Sequence, residues 1–426
     1  MRILAYSPRL YLGDIYLSLL REGHDVRVFG ADPPDQRAFG GILDPIADWH
    51  DGLRWVGRDG VVLFEGVAQG ARQDALRAEG YRVVGGSALG DRLENDRAFG
   101  QAALRDAGLA IAQSSGFASP ELALDWLRAH PGRYVLKHDS GAATTFVGDH
   151  PRGEDVAFML RRSPGGGVLL MERLAGVEVG IGAYFDGQDF LRPACIDFEH
   201  KRFFPGEMGE MTGEMGTLAS YEGAEALFEA TLARVALRLR AAGHVGYVNL
   251  NLIVDAESGT PWPLEFTCRI GNPGFAVLAA LQPAGWGDLL RRIAEGGAGS
   301  FPAHPGWSVA IVLTAPPFPA TQPGASPDQD IPVFFGTPPW RTAEEANHHL
   351  VDARRDAAGQ LLGHRRSGHL MIVTGIGGTV PAAQAAARAR ARNVVAPELR
   401  WRADIGDRFL GGEDALLRRH GWLPLA

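Results

Sequence analysis

Cysteine is nearly missing from this chain: Cys195 and Cys268 are the only two in 426 residues. That excludes a disulfide scaffold, and two isolated thiols cannot supply the paired spacing of a structural zinc site. A reducing compartment, the cytoplasm, is the expectation. Long hydrophobic runs are missing too. No stretch approaches the about 18 uninterrupted apolar residues of a membrane span, and Asp14 interrupts the apolar N-terminus before it could act as a secretory core. Positive charge is not in excess. Forty-two Lys and Arg stand against fifty Asp and Glu, a net charge of −8, so nothing draws the chain as a whole to nucleic acid or an anionic membrane. No Gly-x-Gly-x-x-Gly follows the first apolar strand, which argues against a dinucleotide-dependent dehydrogenase. There is no internal repeat. What remains is ordinary: 46% hydrophobic and 22% charged residues, the balance of a globular protein long enough for about three domains.

The first ~110 residues alternate strands with helices. Arg2–Ala5, Asp25–Phe29, Gly60–Phe64 and Tyr81–Val84 read as strands, and Asp14–Glu22 and Ala71–Glu79 as helices. This spacing predicts a parallel sheet. A helix over Asp96–Ala107 follows, then strands at Arg133–Lys137 and Gly167–Met171. Glu178–Phe185 and Phe190–Asp197 read as a hairpin turning at Asp186-Gly187. Pro205–Gly216 reads as a loop, Ala224–Ala242 as one long helix, and His244–Asp255 and Trp262–Thr267 as strands. Gly296–Pro305 reads as a linker. The tail adds strands near Ser308–Leu313 and His369–Val373 and a helix over Ala382–Asn393.

Four runs carry chemistry. In Leu264-Glu265-Phe266-Thr267-Cys268-Arg269, period-two alternation places Glu265, Thr267 and Arg269 on one side of a strand. Asn249 and Asn251 are spaced in the same way on the preceding strand. Mg²⁺ takes oxygen ligands, one or two carboxylates plus substrate phosphates, and an arginine neutralises a phosphoryl group. In Val168–Glu178 an apolar strand enters a short link whose backbone can meet an adenine edge, with Glu178 for ribose hydroxyls. Tyr134-Val135-Leu136-Lys137 ends a strand in a lysine ahead of the small-residue run Asp139–Thr145, which suits phosphate. His200-Lys201-Arg202 precedes Gly206–Gly216, four glycines in eleven residues, which permit close backbone approach to a ligand. Taken singly, each run also reads as an ordinary solvated strand or loop.

In this order the four resemble the ATP-grasp superfamily and, within it, the phosphoribosylamine–glycine ligases. That family's Leu-Glu-Gly-Ser-Lys-Ala-Phe is similar to Leu93-Glu94-Asn95-Asp96-Arg97-Ala98-Phe99. Its Val-Lys-Ala-Asp-Gly is similar to Leu136–Ser140, and its Glu-Glu-Phe-Leu-x-Gly-x-Glu hinge to Met171–Glu178. Its His-Lys-Arg and Gly-Asp-x-Gly-Pro-Asn-Thr-Gly-Gly-Met-Gly resemble His200–Arg202 and Gly206–Gly216 without a gap. Its Glu-Phe-Asn-x-Arg-Phe-Gly-Asp-Pro-Glu resembles the run from Glu265 onward. In the tail, Val373–Gly377 and Arg402–Gly406 are similar as well.

The resemblance implies an α/β and α+β chain: a Rossmann-like domain over 1–110, a two-lobed ATP-grasp domain over 111–300 (lobes about 111–190 and 191–300), and a small C-terminal α+β domain over 301–426. It implies ATP and Mg²⁺, with Mn²⁺ able to substitute. ATP would meet Arg97, Lys137, Glu172, Arg173, Leu174, Glu178 and Asn251; the metal would meet Glu265, Thr267 and Asn251. Arg269, Lys201 and Glu207 would be catalytic, and Arg9, Asp14, Thr212, Gly213 and Glu214 would contact substrate. The reaction would join a small carboxylate, of the amino-acid kind, to a small-molecule amine through an acyl phosphate. No nucleic-acid or membrane partner is implied, and a homodimer is the base-rate expectation.

The chain also departs from the family. The N-terminal Gly-x-Gly-Gly-Arg-Glu-His-Ala phosphate loop is replaced by Ser7–Asp14, and Gly-Pro-Glu-x-Pro-Leu by Phe64–Gln69. Thr267 replaces the metal-binding Asn, Thr145 the second phosphate-loop Lys, and Glu207 and Met211 the loop Asp and Asn. The expectation is therefore a carboxylate–amine ligase that retains the ATP core and takes an amine other than phosphoribosylamine. The two alternatives are the purine-pathway ligase itself and a non-catalytic nucleotide-binding relic.

Overall fold

The computed structural model describes residues 1–30, 38–138, 145–163, 165–297, 299–320 and 330–424. Asp32-Pro33-Pro34-Asp35, whose composition reads as a loop, most of the phosphate run Asp139–Thr145, and much of the stretch Thr314–Asp330, which is rich in proline, lie outside the described residues.

Four short parallel strands open the chain: β1 (Arg2–Tyr6), β2 (Asp25–Phe29), β3 (Val61–Phe64) and β4 (Arg82–Val84), in the order β2-β1-β3-β4. Alternation sends Leu4, Tyr6, Val62 and Phe64 to one face, against Leu53, Val56 and Leu76 of the helices Trp49–Val56 and Gly70–Ala78. Ile3, Ala5, Val61 and Leu63 face the main core with Ile15 and Leu19 of the helix Gly13–Arg21. Burial on both faces is what an apolar parallel sheet requires.

A second sheet is antiparallel: β5 (Ser114–Phe117), β6 (Tyr134–His138), β7 (Phe146–Val147) and β8 (Val168–Glu172), in the order β5-β8-β6-β7. Leu136, Val168 and Leu170 pack under the helices Pro120–Ala129 and Glu154–Arg161.

The third sheet is the largest. It contains β9 (Gly176–Asp186), β10 (Cys195–Glu199), β13 (Gly216–Ser220), β14 (Val245–Asp255), β15 (Pro261–Thr267) and β16 (Trp307–Thr314), followed by His369–Gly377 and His348–Leu350. Their order is β15-β14-β9-β10-β13-β16, then His369–Gly377, then His348–Leu350. β11 (Arg202–Phe204) and β12 (Met208–Met211) form a separate ribbon beside it.

Several boundaries differ from the sequence reading. β16 pairs with β13, so strands of the expected C-terminal domain continue the large sheet across residue 300. β9 belongs to that sheet as well, so the large sheet begins before residue 190, where the first lobe was expected to end. The stretch 205–216 is not all loop, because Phe204 pairs with Met208 to close the β11–β12 hairpin. The expected helix 224–242 is broken into Glu225–Ala230, a 3-10 turn Leu232–Val235, and Ala236–Ala241. Its break is at buried Thr231, whose hydroxyl bonds back to Leu227 O at 2.5 Å, a local bond that competes with a regular helix.

Candidate active site

The site is built on one face of β15-β14-β9-β10. Register pairs Asn251 with Glu265 and with Gly180, Asn249 with Thr267 and with Gly182, and Gly180 with Asp197. Alternation therefore lines up the polar side chains in two rows. The two glycines of β9 make the space. A Cβ at Gly180 would lie 2.2 Å from Asp197 Oδ1, and one at Gly182 1.9 Å from the Tyr247 hydroxyl.

Charges are closely matched here. Lys201 Nζ sits 2.6 Å from Glu178 Oε1 and 3.1 Å from Glu199 Oε2. Burial alone would lower this ammonium, but Glu199 and Glu178 raise it well above its ordinary value. Asn251 Nδ2 approaches Glu199 at 3.4 Å, and Asn249 Nδ2 donates to Asp197 Oδ2 at 2.7 Å. Arg97 reaches Glu265 at 2.9 Å. Lys137 faces the same group of charges. Burial and the nearby Arg97 lower its ammonium to about 8, against the pull of Glu265. Burial, with Glu199 beside it, pushes Asp197 up to about 7; burial, with Glu199 and Asp197, also raises Glu214.

Two cavities meet at this face. The smaller, about 250 Å³, is lined by Asp197, Glu199, Lys201, Thr217, Asn251 and Glu265 among others; the larger, about 520 Å³, reaches the N-terminal sheet at Pro8, Arg9, Tyr11, Leu12, Glu65 and Val67. Gly213, Glu214, Arg269 and Asn272 line both. Arg269 is held by Glu94, whose carboxylate takes Arg269 Nε at 3.1 Å and Cys268 N at 2.8 Å.

The structure brings together most of the residues expected from sequence. Glu178, Lys201, Asn251, Glu265, Thr267 and Arg269 gather at this face, Arg97 and Lys137 reach the same charges from the helix Arg97–Asp106 and from β6, and Arg9, Gly213 and Glu214 line the cavities. Thr212 lines an adjoining space with Thr145, its hydroxyl donating to Lys201 O at 2.8 Å. At the hinge, the N–H groups of Glu172 and Arg173 are used by Gln113 O and Arg133 O, and the Arg173 guanidinium pairs with Asp149. Among the described residues, Leu174 is the one of the three whose N–H makes no such backbone bond.

Two expected site residues are elsewhere. Asp14 is buried 2.9 Å from His349 Nδ1 and takes Leu350 N at 3.3 Å; it ties the first helix to the far edge of the large sheet. Glu207 sits at the tip of the β11–β12 hairpin at φ 57° and pairs with the fully buried Arg402 at 2.7 Å. Neither lines the two cavities. Sequence reasoning missed Asp197, Glu199 and Thr217. The Asp-x-Glu alternation inside the apolar run Cys195–Glu199 was the signal for the first two.

The donor set suits a hard cation, because carboxylate, amide and hydroxyl oxygens from Glu265, Asn251 and Thr267 meet at one place. Among the described residues no group of three or more His, Cys, Asp or Glu is arranged to hold a metal alone. A cation here would complete its shell with phosphate oxygens, as Mg²⁺ does on nucleotides.

Residues 95–275 match the family model described as phosphoribosylglycinamide synthetase, ATP-grasp (A) domain. Phosphoribosylamine–glycine ligase of Neisseria meningitidis serogroup B is 26% identical over 357 residues, 79% of this chain and 81% of the relative. The crystal structure of phosphoribosylamine–glycine ligase from Thermotoga maritima superposes with TM-score 0.72 at 18% identity, over 95% of this chain and all of the other. The biotin carboxylase domain of Hydrogenobacter thermophilus 2-oxoglutarate carboxylase, solved with MgADP and bicarbonate, gives TM-score 0.60 at 11% identity, over 99% of this chain and 93% of that one. No helix among the described residues is long and apolar enough to cross a membrane.

Proposed function

From an ATP-grasp ligase chain that resembles the phosphoribosylamine–glycine ligases along most of its length, we propose an ATP-dependent carboxylate–amine ligase whose amine is not phosphoribosylamine. A carboxylate oxygen of the acid attacks the γ-phosphorus of ATP. The bond from that phosphorus to the bridging oxygen breaks, and ADP leaves with its electron pair. The amine lone pair then attacks the acyl-phosphate carbon, inorganic phosphate departs, and the amine gives up a proton to yield the amide. Such transfers rest on positioning and charge neutralisation. Lys137 and Arg97 would neutralise phosphate, Glu178 would take ribose, Leu174 would meet adenine, and Arg269 would hold the transferred phosphoryl group. Glu265, with Asn251 and Thr267, would hold Mg²⁺, which when bound supplies charge to the phosphate oxygens. Two cavities meeting at Arg269 suit two substrates that must meet.

One observation carries the reading of the amine. In the loop after β1, the backbone N–H groups of Tyr11 and Leu12 both donate to the Glu65 carboxylate, each at 3.1 Å, and the Tyr16 hydroxyl adds a third bond at 2.7 Å. An anion belonging to the protein itself occupies the N–H cradle that a phosphate would need, and Pro8 has no N–H to offer. Much of the rest of that cavity is apolar, with Leu12, Val67, Ile270, Pro273 and Phe318, while Arg9, Arg269 and His369 also line it. These residues favour an uncharged or weakly polar amine body over a ribose phosphate. The second reading, phosphoribosylamine–glycine ligase, is favoured by what the sequence relatives are named.

The test supplies Mg·ATP with phosphoribosylamine and glycine and follows ADP. We expect no turnover above background. Turnover of about 1 s⁻¹ or faster, the ordinary enzymatic range, restores the second reading. Replacing the amine with hydroxylamine traps any acyl phosphate as a hydroxamate, which tests the ligase chemistry without knowledge of the natural amine.

A further inference from the structure

Three buried oxygens facing the smaller cavity have no hydrogen-bond partner among the described residues: Asp197 Oδ1, Glu214 Oε1 and Thr217 Oγ1. Asp197 is 6% exposed and Thr217 2%, so bulk water does not serve them. They come from three places in the fold: β10, β13, and the segment that joins β12 to β13. β10 and β13 are neighbours in register, Thr217 lying opposite Glu199 and Ala219 opposite Asp197. Polar atoms left unpaired in a protein interior are costly and rare.

Two nearby donors are already used. Lys201 is held between Glu178 and Glu199, and Asn249 takes the other oxygen of Asp197. These bonds leave the three oxygens on the wall of the cavity without a partner. Glu214 also stands where the glycine-rich motif quoted above has the second of its paired glycines, so its carboxylate belongs to this chain and not to the motif. Arg269 lines the same cavity and offers a cationic site for a carboxylate. A primary ammonium has three N–H donors and no acceptor, which matches three acceptors in number. At about 250 Å³ the space exceeds what glycine fills, and it is shared with the groups that Glu265, Asn251 and Arg269 would hold.

We propose that Asp197, Glu214 and Thr217 form an ammonium-binding subsite, so that the acid this enzyme activates is an aminocarboxylate larger than glycine. Its carboxylate lies toward Arg269 and its cationic end lies among the three oxygens. This inference rests on the ligase reading above and names the substrate class of the same site. Asp197, Glu214 and Thr217 then act as specificity determinants, and the reacting atoms lie at the other end of the acid.

The experiment uses the full chain with Mg·ATP and hydroxylamine and pairs each amino acid with its des-amino counterpart: glycine with acetate, 3-aminopropanoate with propanoate, 4-aminobutanoate with butanoate. The expected result is a preference of at least tenfold in kcat/KM for a larger aminocarboxylate over its partner. Glu214→Gln and Asp197→Asn should each lower that preference tenfold or more and leave the calorimetric Kd for Mg·ATP within twofold. Equal use of the paired acids, or a preference that survives both substitutions, overturns the subsite. A readout independent of turnover is thermal stabilisation by the same acids with Mg²⁺ and a non-hydrolysable ATP analogue. If stabilisation discriminates between the paired acids and no hydroxamate forms, the ligase reading fails and the subsite stands. If the paired acids stabilise equally or not at all, the subsite fails. Stabilisation by K⁺ or Mg²⁺ alone that Glu214→Gln abolishes assigns the oxygens to a metal ion and overturns the proposal.

Discussion

Arg269 owes its position to Glu94. The carboxylate grips Nε and the neighbouring Cys268 N–H together, so backbone and side chain are fixed by one group on a different element. A lysine at 269 keeps the charge but has no Nε–H to donate to Glu94 and no planar fork to match a phosphoryl or acyl-phosphate group. We expect Arg269→Lys to lower kcat for hydroxamate formation by about 10-fold or more, a loss of about 1.4 kcal/mol in transition-state stabilisation, with Mg·ATP affinity nearly unchanged. Steady-state kinetics beside calorimetry separates the two effects, and wild-type kcat in the lysine variant would remove Arg269 from the reaction. Glu265 behaves differently. Its bond to Arg97 is between two part-exposed groups, at 37% and 45% side-chain exposure, and such pairs are worth little, so both partners are available to a nucleotide.

The helix Gly13–Arg21 shows how an element is tied in. Asp14 lies in its first turn, where a carboxylate is favoured by the helix dipole, yet the side chain points inward to His349 Nδ1 and Leu350 N on the last strand of the large sheet. Asp14→Ala would strand both donors in the interior, and we expect a stability loss of about 3 kcal/mol. The check is the midpoint of chemical denaturation, with substrate preference expected to stay as in the wild type. A stability change under about 0.5 kcal/mol, the range of ordinary surface substitutions, would contradict this account. The same residue marks the limit of sequence reading. That a helix begins beside Asp14 is legible from local spacing, because apolar periodicity is a property of the segment alone. That the carboxylate turns away from the cavity is not legible, because its partner lies 335 residues along the chain. Glu207 is a similar case, with its partner Arg402 beyond the range of any local pattern. Glu265 and Thr267 were legible as a same-side pair because strand alternation alone puts them there, whereas Asn251 joins them only through the β14–β15 register. Thr217 carried no such signal, since its meaning comes only from the β10–β13 pairing.

At the scale of the whole molecule, two histidines fasten the joins. His200 lies between β10 and the C-terminal segment: Nδ1–H donates to Phe198 O at 3.1 Å and Nε2 accepts from Gly406 N at 3.1 Å. His244 receives the Ser87 hydroxyl at 2.9 Å, which ties the start of β14 to the N-terminal unit. Both rings are fully buried. A second ring proton on His200 would point at the Gly406 N–H, and on His244 at the Ser87 hydroxyl proton. Burial, reinforced by Arg408 and Arg402, lowers His200 to about 3, and burial with Arg77 lowers His244 to about 3, from an ordinary 6.5. The sign follows directly. Below about 6.5 the unfolded chain takes up protons that the folded chain refuses, so stability is intact above that pH and falls as the medium is acidified toward 3. Each histidine should cost about 1.4 kcal/mol between pH 7.5 and 5.5. His244→Gln, whose amide can still meet Ser87, should remove about half of that slope. The measurement is the denaturation midpoint against pH for the wild type and the variant. Equal slopes would mean that these rings titrate in the folded protein and that the joins between the N-terminal sheet, the large sheet and the tail loosen for another reason.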